Sequence, residues 1–482
     1  MSEVGSGIIN IITESLYDNP IVVFREYVQN SVDSIFKSNN NIESDIKIFY
    51  ENNCLYFADN GNGIEKDLFA EQMGRIANSN KVKTKNIGYK GIGRLSGLPY
   101  CDSLNFINII DYKQNDFQTY CLDGKKYTEE KNSEDIQNLS VEDFLNMLSE
   151  NSSKFLNLNN CVTIPPKVKE FYQKYNKGFL VIMENISAVL KNTINSDKFV
   201  TNLSWLLPVD FEPELYERDS QIGRIVSSLK ANNEEGSATR SCNISYNNKK
   251  ILRPIKRKDF RSTVFENDFE YAVGMITFNG QKIQIDKGNS FSGIKIYIDN
   301  MLLCDESELI PALDNYGLLT HSINGMIQTV RGIGAMIYIT DKVNISANAR
   351  RTFIEITDYD SLMFLNYLAE FVNDLYDVRY ALSNYASALR NTAKDPQDIE
   401  KMKSRALTTL GKLVNNKVKI EEISLNNPML ELSESEKKAT IKKSITAKIS
   451  KQLRDYLKQC DVDDMESCYE KFIEWLINNV ER

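Results

Sequence analysis

Residues 54–64 read Cys54-Leu55-Tyr56-Phe57-Ala58-Asp59-Asn60-Gly61-Asn62-Gly63-Ile64. An apolar, strand-forming run ends on a carboxylate, and glycines follow at alternate positions. This arrangement suits a flat ring with an exocyclic amine, because glycine lets backbone approach the ring closely. An ionised Asp only accepts hydrogen bonds, so Asp59 favours adenine, which has a donor at N6, over guanine, which has an oxygen there. A turn or a calcium loop is the competing reading of Asp59, Gly61 and Gly63, but the later ligands of an EF-hand loop are absent.

Upstream, Asn19-Pro20 announces a helix, with an Asx cap and Pro in the first turn. At about 100° per residue, Ile21, Phe24, Val28, Val32 and Ile35 form an apolar face, while Glu26, Asn30 and Asp33 cluster opposite. Alone, that acidic-amide trio reads as a solvated helix face and needs corroboration from elsewhere in the chain. Downstream, Gly88-Tyr89-Lys90-Gly91-Ile92-Gly93-Arg94-Leu95-Ser96-Gly97 is a glycine-rich loop running into an apolar segment. Consecutive bare N–H groups before a helix N-terminus cradle phosphates. The loop lacks the G-K-[ST] ending of a P-loop and the strand-G-x-G-x-x-G order of a dinucleotide fingerprint.

In this order, Glu-x3-Asn-x2-Asp, Asp-x-Gly-x-Gly and the Gly-rich loop resemble the N, G1 and G2 boxes of the GHKL ATPase superfamily of gyrase, heat-shock-protein-ninety chaperones, histidine kinases and MutL. The chaperone branch is the nearest likeness, through Phe24-Arg25-Glu26 to Asp33 and through residues 59–79, which end Gly74-Arg75-Ile76-Ala77-Asn78-Ser79. The resemblance implies a Bergerat-type α/β sandwich in the α+β class, with ATP and Mg²⁺ as ligands. It implies that Glu26 polarises the attacking water, Asn30 holds Mg²⁺, and Asp59 receives the adenine amine. Gly88, Gly91 and Gly93 would wrap the phosphates, and Asp33, Gly61, Gly63, Asn78, Ser79, Lys90 and Ile92 would complete the nucleotide shell.

Two departures stand out. The Gly-Thr of the family's third box is Gly178-Phe179 here, and the lid lysine expected after Ile76-Ala77 is Asn78, with Lys81, Lys83 and Lys90 as substitutes.

The likeness continues into Ile294-Lys295-Ile296-Tyr297-Ile298-Asp299-Asn300, Leu309-Ile310-Pro311 and Val343-Asn344-Ile345-Ser346, followed by Arg350-Arg351. These resemble the chaperones' middle domain and its ATP-contacting arginine loop, so Arg350 or Arg351 would meet the γ-phosphate. The expected organisation is an ATP-binding domain over 1–204, a middle domain over 205–358 and a helical C-terminal region over 359–482. Strand-like runs at Ile46–Tyr50, Leu104–Tyr112, Gly178–Glu184, Ala272–Phe278 and Ala335–Ile339 fit this scheme. So do Leu362, Leu365, Leu368, Phe371, Val372 and Leu375, which recur at helical spacing, and the break at Lys394-Asp395-Pro396.

Composition narrows the function. With 58 Lys and Arg against 66 Asp and Glu, the 482-residue chain carries a net charge of −8, which disfavours a protein devoted to nucleic acid. The local cluster Lys249, Lys250, Arg253, Lys256, Arg257, Lys258 and Arg261 reads as a phosphate-contacting patch or a solvated loop. The single histidine, His321, has no acidic neighbour in sequence and removes His-based metal sites and phospho-acceptor chemistry. Eight scattered cysteines without a C-x-x-C spacing, no secretory signal and no membrane-length apolar run predict a soluble cytoplasmic protein. The leading expectation is an ATP-driven, chaperone-like clamp acting on a protein client or partner, with room for a homodimer. The competing outputs are a MutL-like nucleic-acid ATPase and a nucleotide-gated adaptor in bacterial defence or signalling.

Overall fold

The Asn19 side chain accepts from the backbone N–H of Ile21 at 3.1 Å, and helix α1 (Val22–Phe36) follows. Phe24, Val28 and Val32 are fully buried and Ile35 nearly so, whereas Ile21 is only partly covered at the entry to the helix. The computed structural model describes residues 19–36, 44–74, 93–130, 139–149, 155–213, 241–253, 264–268, 272–278, 293–298, 300–330, 333–339, 353–356, 359–390 and 395–413, all within the first of two compact units.

The architecture is mixed α and β. Strands β1 (Asp45–Glu51) and β2 (Cys54–Asp59) form a hairpin closed by Asn52 and Asn53, both at positive φ, as a two-residue turn requires. With β3 (Ser103–Asp111), β4 (Asp116–Asp123), β5 (Gly178–Glu184), β6 (Asn243–Tyr246) and β7 (Lys249–Lys250) they make a sheet in the order β4-β3-β5-β2-β1-β6-β7. Only β6 runs parallel to its neighbour β1; the other pairs are antiparallel. This sheet therefore takes strands from beyond residue 204.

Alternation gives the sheet two apolar faces. Leu55, Phe57, Leu104, Phe106, Val181 and Met183 pack on the side of α1. On the other face, Tyr56, Ala58, Ile107, Ile109, Leu180 and Ile182 pack with Val168, Phe171 and Tyr172 of a helix over Pro166–Tyr175.

A second sheet among the described residues contains β8 (Val264–Asp268), β9 (Ala272–Phe278), β10 (Gly293–Ile298), β11 (Met301–Asp305) and β12 (Ile333–Ile339), ordered β11-β10-β12-β9-β8. Met301 packs into the core of the first sheet. Between the two sheets lies Arg253, which is completely buried. Its Nη1 donates to Asn300 Oδ1 at 2.5 Å, its Nη2 donates to the carbonyls of Leu207 and Asn300 at 3.0 and 2.8 Å, and its guanidinium lies 4.5 Å from the Tyr297 ring centre. Arg253 is thus removed from the basic cluster read from the sequence. Lys249 and Lys250 are exposed, and residues 254–261 lie outside the described residues.

Tyr359–Arg390 and Pro396–Leu413 are helices packed on one another, and the carboxylate of Asp395, just before the second, accepts from the Gln397 N–H at 2.9 Å. Leu365, Leu368, Phe371, Val372 and Leu375 are buried there. Leu362 is exposed because it sits about 120° around the helix from the centre of that stripe. His321 does meet an acid in space: it stacks on Tyr376 and its Nε2 is 3.6 Å from Asp377 Oδ1. No helix among the described residues is long and apolar enough to cross a membrane.

Candidate active site

Helix α1 carries three stripes rather than two. Between the apolar residues and the acidic-amide trio, Tyr27, Ser31 and Ser34 fall within about 60° of one another at helical periodicity. Each hydroxyl fastens a different segment. Ser31 hydrogen-bonds the Asp59 carboxylate. Ser34 Oγ accepts from the Gly63 N–H at 3.0 Å. The Tyr27 hydroxyl donates to the Arg94 carbonyl and accepts from the Gly97 N–H, both at 3.1 Å. Reading only apolar against charged faces misses this stripe, although its i, i+4, i+7 spacing is visible in the sequence.

Asp59 ends β2 and is almost wholly buried. Burial pushes its carboxyl up to about 6, against the opposing pull of the Ser31 hydroxyl and the N–H groups of Gly61 and Phe179. The Gly61 contact is 2.9 Å. On the α1 side of the sheet, Gln118, Asn108, Phe179, Asp59 and Ile46 are consecutive partners across β4, β3, β5, β2 and β1.

Two amides of that row clip down the loop after Asp59. Asn108 accepts from the Ile64 N–H at 2.9 Å, donates to the Ile64 carbonyl at 2.7 Å and donates to Gln118 at 3.1 Å. Gln118 in turn donates to the Lys66 carbonyl at 2.9 Å. Gly63 has φ +66, and a β-carbon there would overlap the Asn108 amide oxygen. Only glycine gives both that conformation and that space. Asn108, like Asn105 three residues before it, is a buried amide among the apolar residues of β3, and such amides are a sign of a polar task.

The Glu26 carboxylate is buried, with Oε1 3.5 Å from Arg25 Nε. Gly93 opens a 3-10 helix (Gly93–Tyr100), and its bare Cα faces the Glu26 carboxylate so closely that a β-carbon would overlap Oε2. Arg94 Nη2 donates to the Met73 carbonyl at 3.3 Å, and burial lowers its pKa to about 10. Asn30 is half-buried on the same side of α1 as Glu26, and Asp33 is buried.

Glu26, Asn30 and Asp33 therefore share one helix, with Asp59, Gly61 and Gly63 on the adjoining strand end and loop and Gly93 against Glu26. Asn78, Ser79, Gly88, Lys90, Gly91, Ile92, Arg350 and Arg351 lie outside the described residues. At the third-box position Gly178 lies against the Asp59 carbonyl. Phe179 stands beside Asp59 in the sheet, its half-buried ring tilted 6.5 Å from Phe106 and its carbonyl accepting from Tyr172 at 2.7 Å.

The helix that bears Glu26, Asn30 and Asp33 is thus tied through Ser31 to a buried Asp at a strand end and carries two glycine-bearing segments against it. Residues 18–154 match the model of a family described as histidine kinase-, DNA gyrase B-, and HSP90-like ATPase. That match supports the GHKL superfamily. The GHKL match spans α1 through the helix over Val141–Leu148 and stops short of β5, so Gly178 and Phe179 lie beyond it and reach Asp59 through the pairing of β5 with β2 and through the Phe179 N–H. No curated protein matches the chain.

Proposed function

We propose that the chain binds Mg²⁺-ATP, hydrolyses it slowly and works as a chaperone-like conformational clamp on a protein client. The observation that carries nucleotide recognition is the state of Asp59. An ionised carboxylate offers about four acceptor positions, and Ser31, Gly61 and Phe179 already supply donors to it. About one position is left. That suits a single N–H of adenine N6, whereas guanine would bring either an oxygen or the paired N1–H and N2–H donors, which need two positions.

In this reading Glu26 orients and polarises the attacking water. Burial against Gly93 leaves its carboxylate little freedom to turn away. Asn30 is the residue that would hold Mg²⁺, since a neutral carboxamide oxygen suits a hard cation that keeps phosphate and water as its other ligands. When bound, Mg²⁺ would withdraw charge from the phosphate oxygens. Asp33 belongs to the nucleotide shell. Arg350 and Arg351 are proposed to stabilise charge on the γ-phosphate from the middle domain, and the division into 1–204, 205–358 and 359–482 is part of the same proposal. The burial of Arg253 weakens the nucleic-acid alternative, because a guanidinium engaged with Asn300 and Leu207 makes no phosphate contact.

The test is a calorimetric titration with ATP and GTP alongside a turnover assay. ATP should bind at least about tenfold more tightly, and Asp59→Ala should abolish the preference. Glu26→Ala should keep ATP affinity while turnover falls about 10²- to 10⁴-fold. Equal affinity for the two nucleotides would refute the assignment of Asp59. Wild-type turnover in Glu26→Ala would refute that of Glu26.

A further inference from the structure

Tyr27 directly follows Glu26 on α1, and its ring is locked in the core, edge-on to Phe57 at 5.0 Å and to Phe106 at 6.4 Å. Its hydroxyl reaches out of that core to the backbone of the 3-10 helix, donating to the Arg94 carbonyl and accepting from the Gly97 N–H. These two bonds bracket the first turn of the helix whose first residue, Gly93, lies against the Glu26 carboxylate.

We propose that Tyr27 is a positioning residue for the hydrolytic step: its hydroxyl holds the Gly93–Gly97 backbone at a fixed distance from α1, and that backbone in turn holds the Glu26 carboxylate in one orientation. The inference rests on the proposed ATPase reading of Glu26.

Three features support it. The fit is two-sided, because a β-carbon at Gly97 would overlap the Tyr27 hydroxyl just as one at Gly93 would overlap Glu26. Two points of close contact, one turn apart, define the separation of the helices more narrowly than apolar packing does. The hydroxyl also stays protonated, since burial raises the Tyr27 pKa well above its ordinary value, so it donates to Arg94 throughout the working pH range. Finally, the contact tolerates no sliding. Moving the 3-10 helix along α1 by one residue would break both bonds that the hydroxyl makes, at about 0.5–1.5 kcal/mol each.

The experiment uses the full chain with ATP and compares wild type, Tyr27→Phe, Glu26→Gln and the double variant. Tyr27→Phe keeps the ring and its packing and removes only the hydroxyl. It should lower kcat about 10- to 100-fold, as expected for a misplaced catalytic group, with KM for ATP changed less than about threefold. In the Glu26→Gln background the same substitution should have no further effect on kcat, because a residue acting through Glu26 loses its influence once Glu26 is gone. Gly97→Ala displaces the hydroxyl from the other side and should reproduce the kcat loss, so the proposal remains testable if Tyr27→Phe folds poorly.

Unchanged kcat in a folded Tyr27→Phe would overturn the inference, as would equal losses in both backgrounds. Absence of turnover in the wild type would refute the ATPase reading itself, a result distinct from either.

Discussion

Burial lifts the Asp59 carboxyl from 3.8 to about 6, and the sign of that shift affects both folding and binding. Because the folded-state value is raised, the carboxyl favours the folded protein most below pH 3.8, and that contribution is lost as pH rises through 6. At about 1.4 kcal/mol per unit, the loss amounts to about 3 kcal/mol at neutral pH. Asp59→Asn has no charge to bury, so it should gain up to about 3 kcal/mol on wild type between pH 4 and pH 7, read by denaturant unfolding at each pH. A constant difference between the two proteins across that range would contradict the shift. Binding runs the other way, because the ionised form is the stronger acceptor for the adenine amine, whereas the protonated form brings an O–H donor against it. ATP affinity of the wild type should fall below pH 6, approaching tenfold per unit, and a flat profile in calorimetry between pH 5 and 7 would count against Asp59 as the base-reading group.

At the scale of elements, the row of side chains from Gln118 to Asp59 explains how a loop without regular structure keeps a fixed path. Asn108 makes both backbone bonds to Ile64 and one to Gln118, so Asn108→Ala should release the loop while β3 stays in the sheet. Amide exchange should accelerate over residues 60–67 and remain slow in β2 and β5, with stability reduced by about 1–3 kcal/mol and ATP affinity by about tenfold. Exchange unchanged in the loop would show that the Asn108 clip is dispensable.

The sequence made part of this legible. The strand before Asp59, the helix after Pro20 and the strand at Gly178 all follow from period and end signals, and the family match supports the ATPase class. It hid the parts that depend on pairing across the sheet. Residues 116–123, Asp-Phe-Gln-Thr-Tyr-Cys-Leu-Asp, are too polar to announce β4, an end strand half-covered over most of its length, so the partner of Asn108 is hidden in the sequence. The hydroxyls of Tyr27, Ser31 and Ser34 were invisible for another reason: a residue that is polar at its tip and buried at its base belongs to neither face of a two-faced helix.

For the molecule as a whole, Arg253 ties the first sheet to the second through one planar fork with three acceptor contacts. Removing it leaves the Asn300 amide and the Leu207 carbonyl buried without their donor, so Arg253→Ala should cost at least about 3 kcal/mol, read from the denaturation midpoint. Arg253→Lys should recover only part of that, since an ammonium cannot span the same acceptors. A fragment ending at residue 204 should self-associate, because β1 would lose its parallel neighbour β6 and present an open strand edge. A monodisperse monomer in light scattering would contradict this.

The pairing of β1 with β6 also bears on how the chain is made. Asp45 and its hydrogen-bond partner Asn243 are 198 residues apart. At roughly 5–20 residues per second, synthesis leaves β1 waiting about 10–40 s for the strand that closes its edge. For most of that interval the nascent chain already holds the helix and strand that carry Glu26 and Asp59, so the vulnerable period falls during translation, after the segment that carries the candidate site has been made and before its sheet is complete.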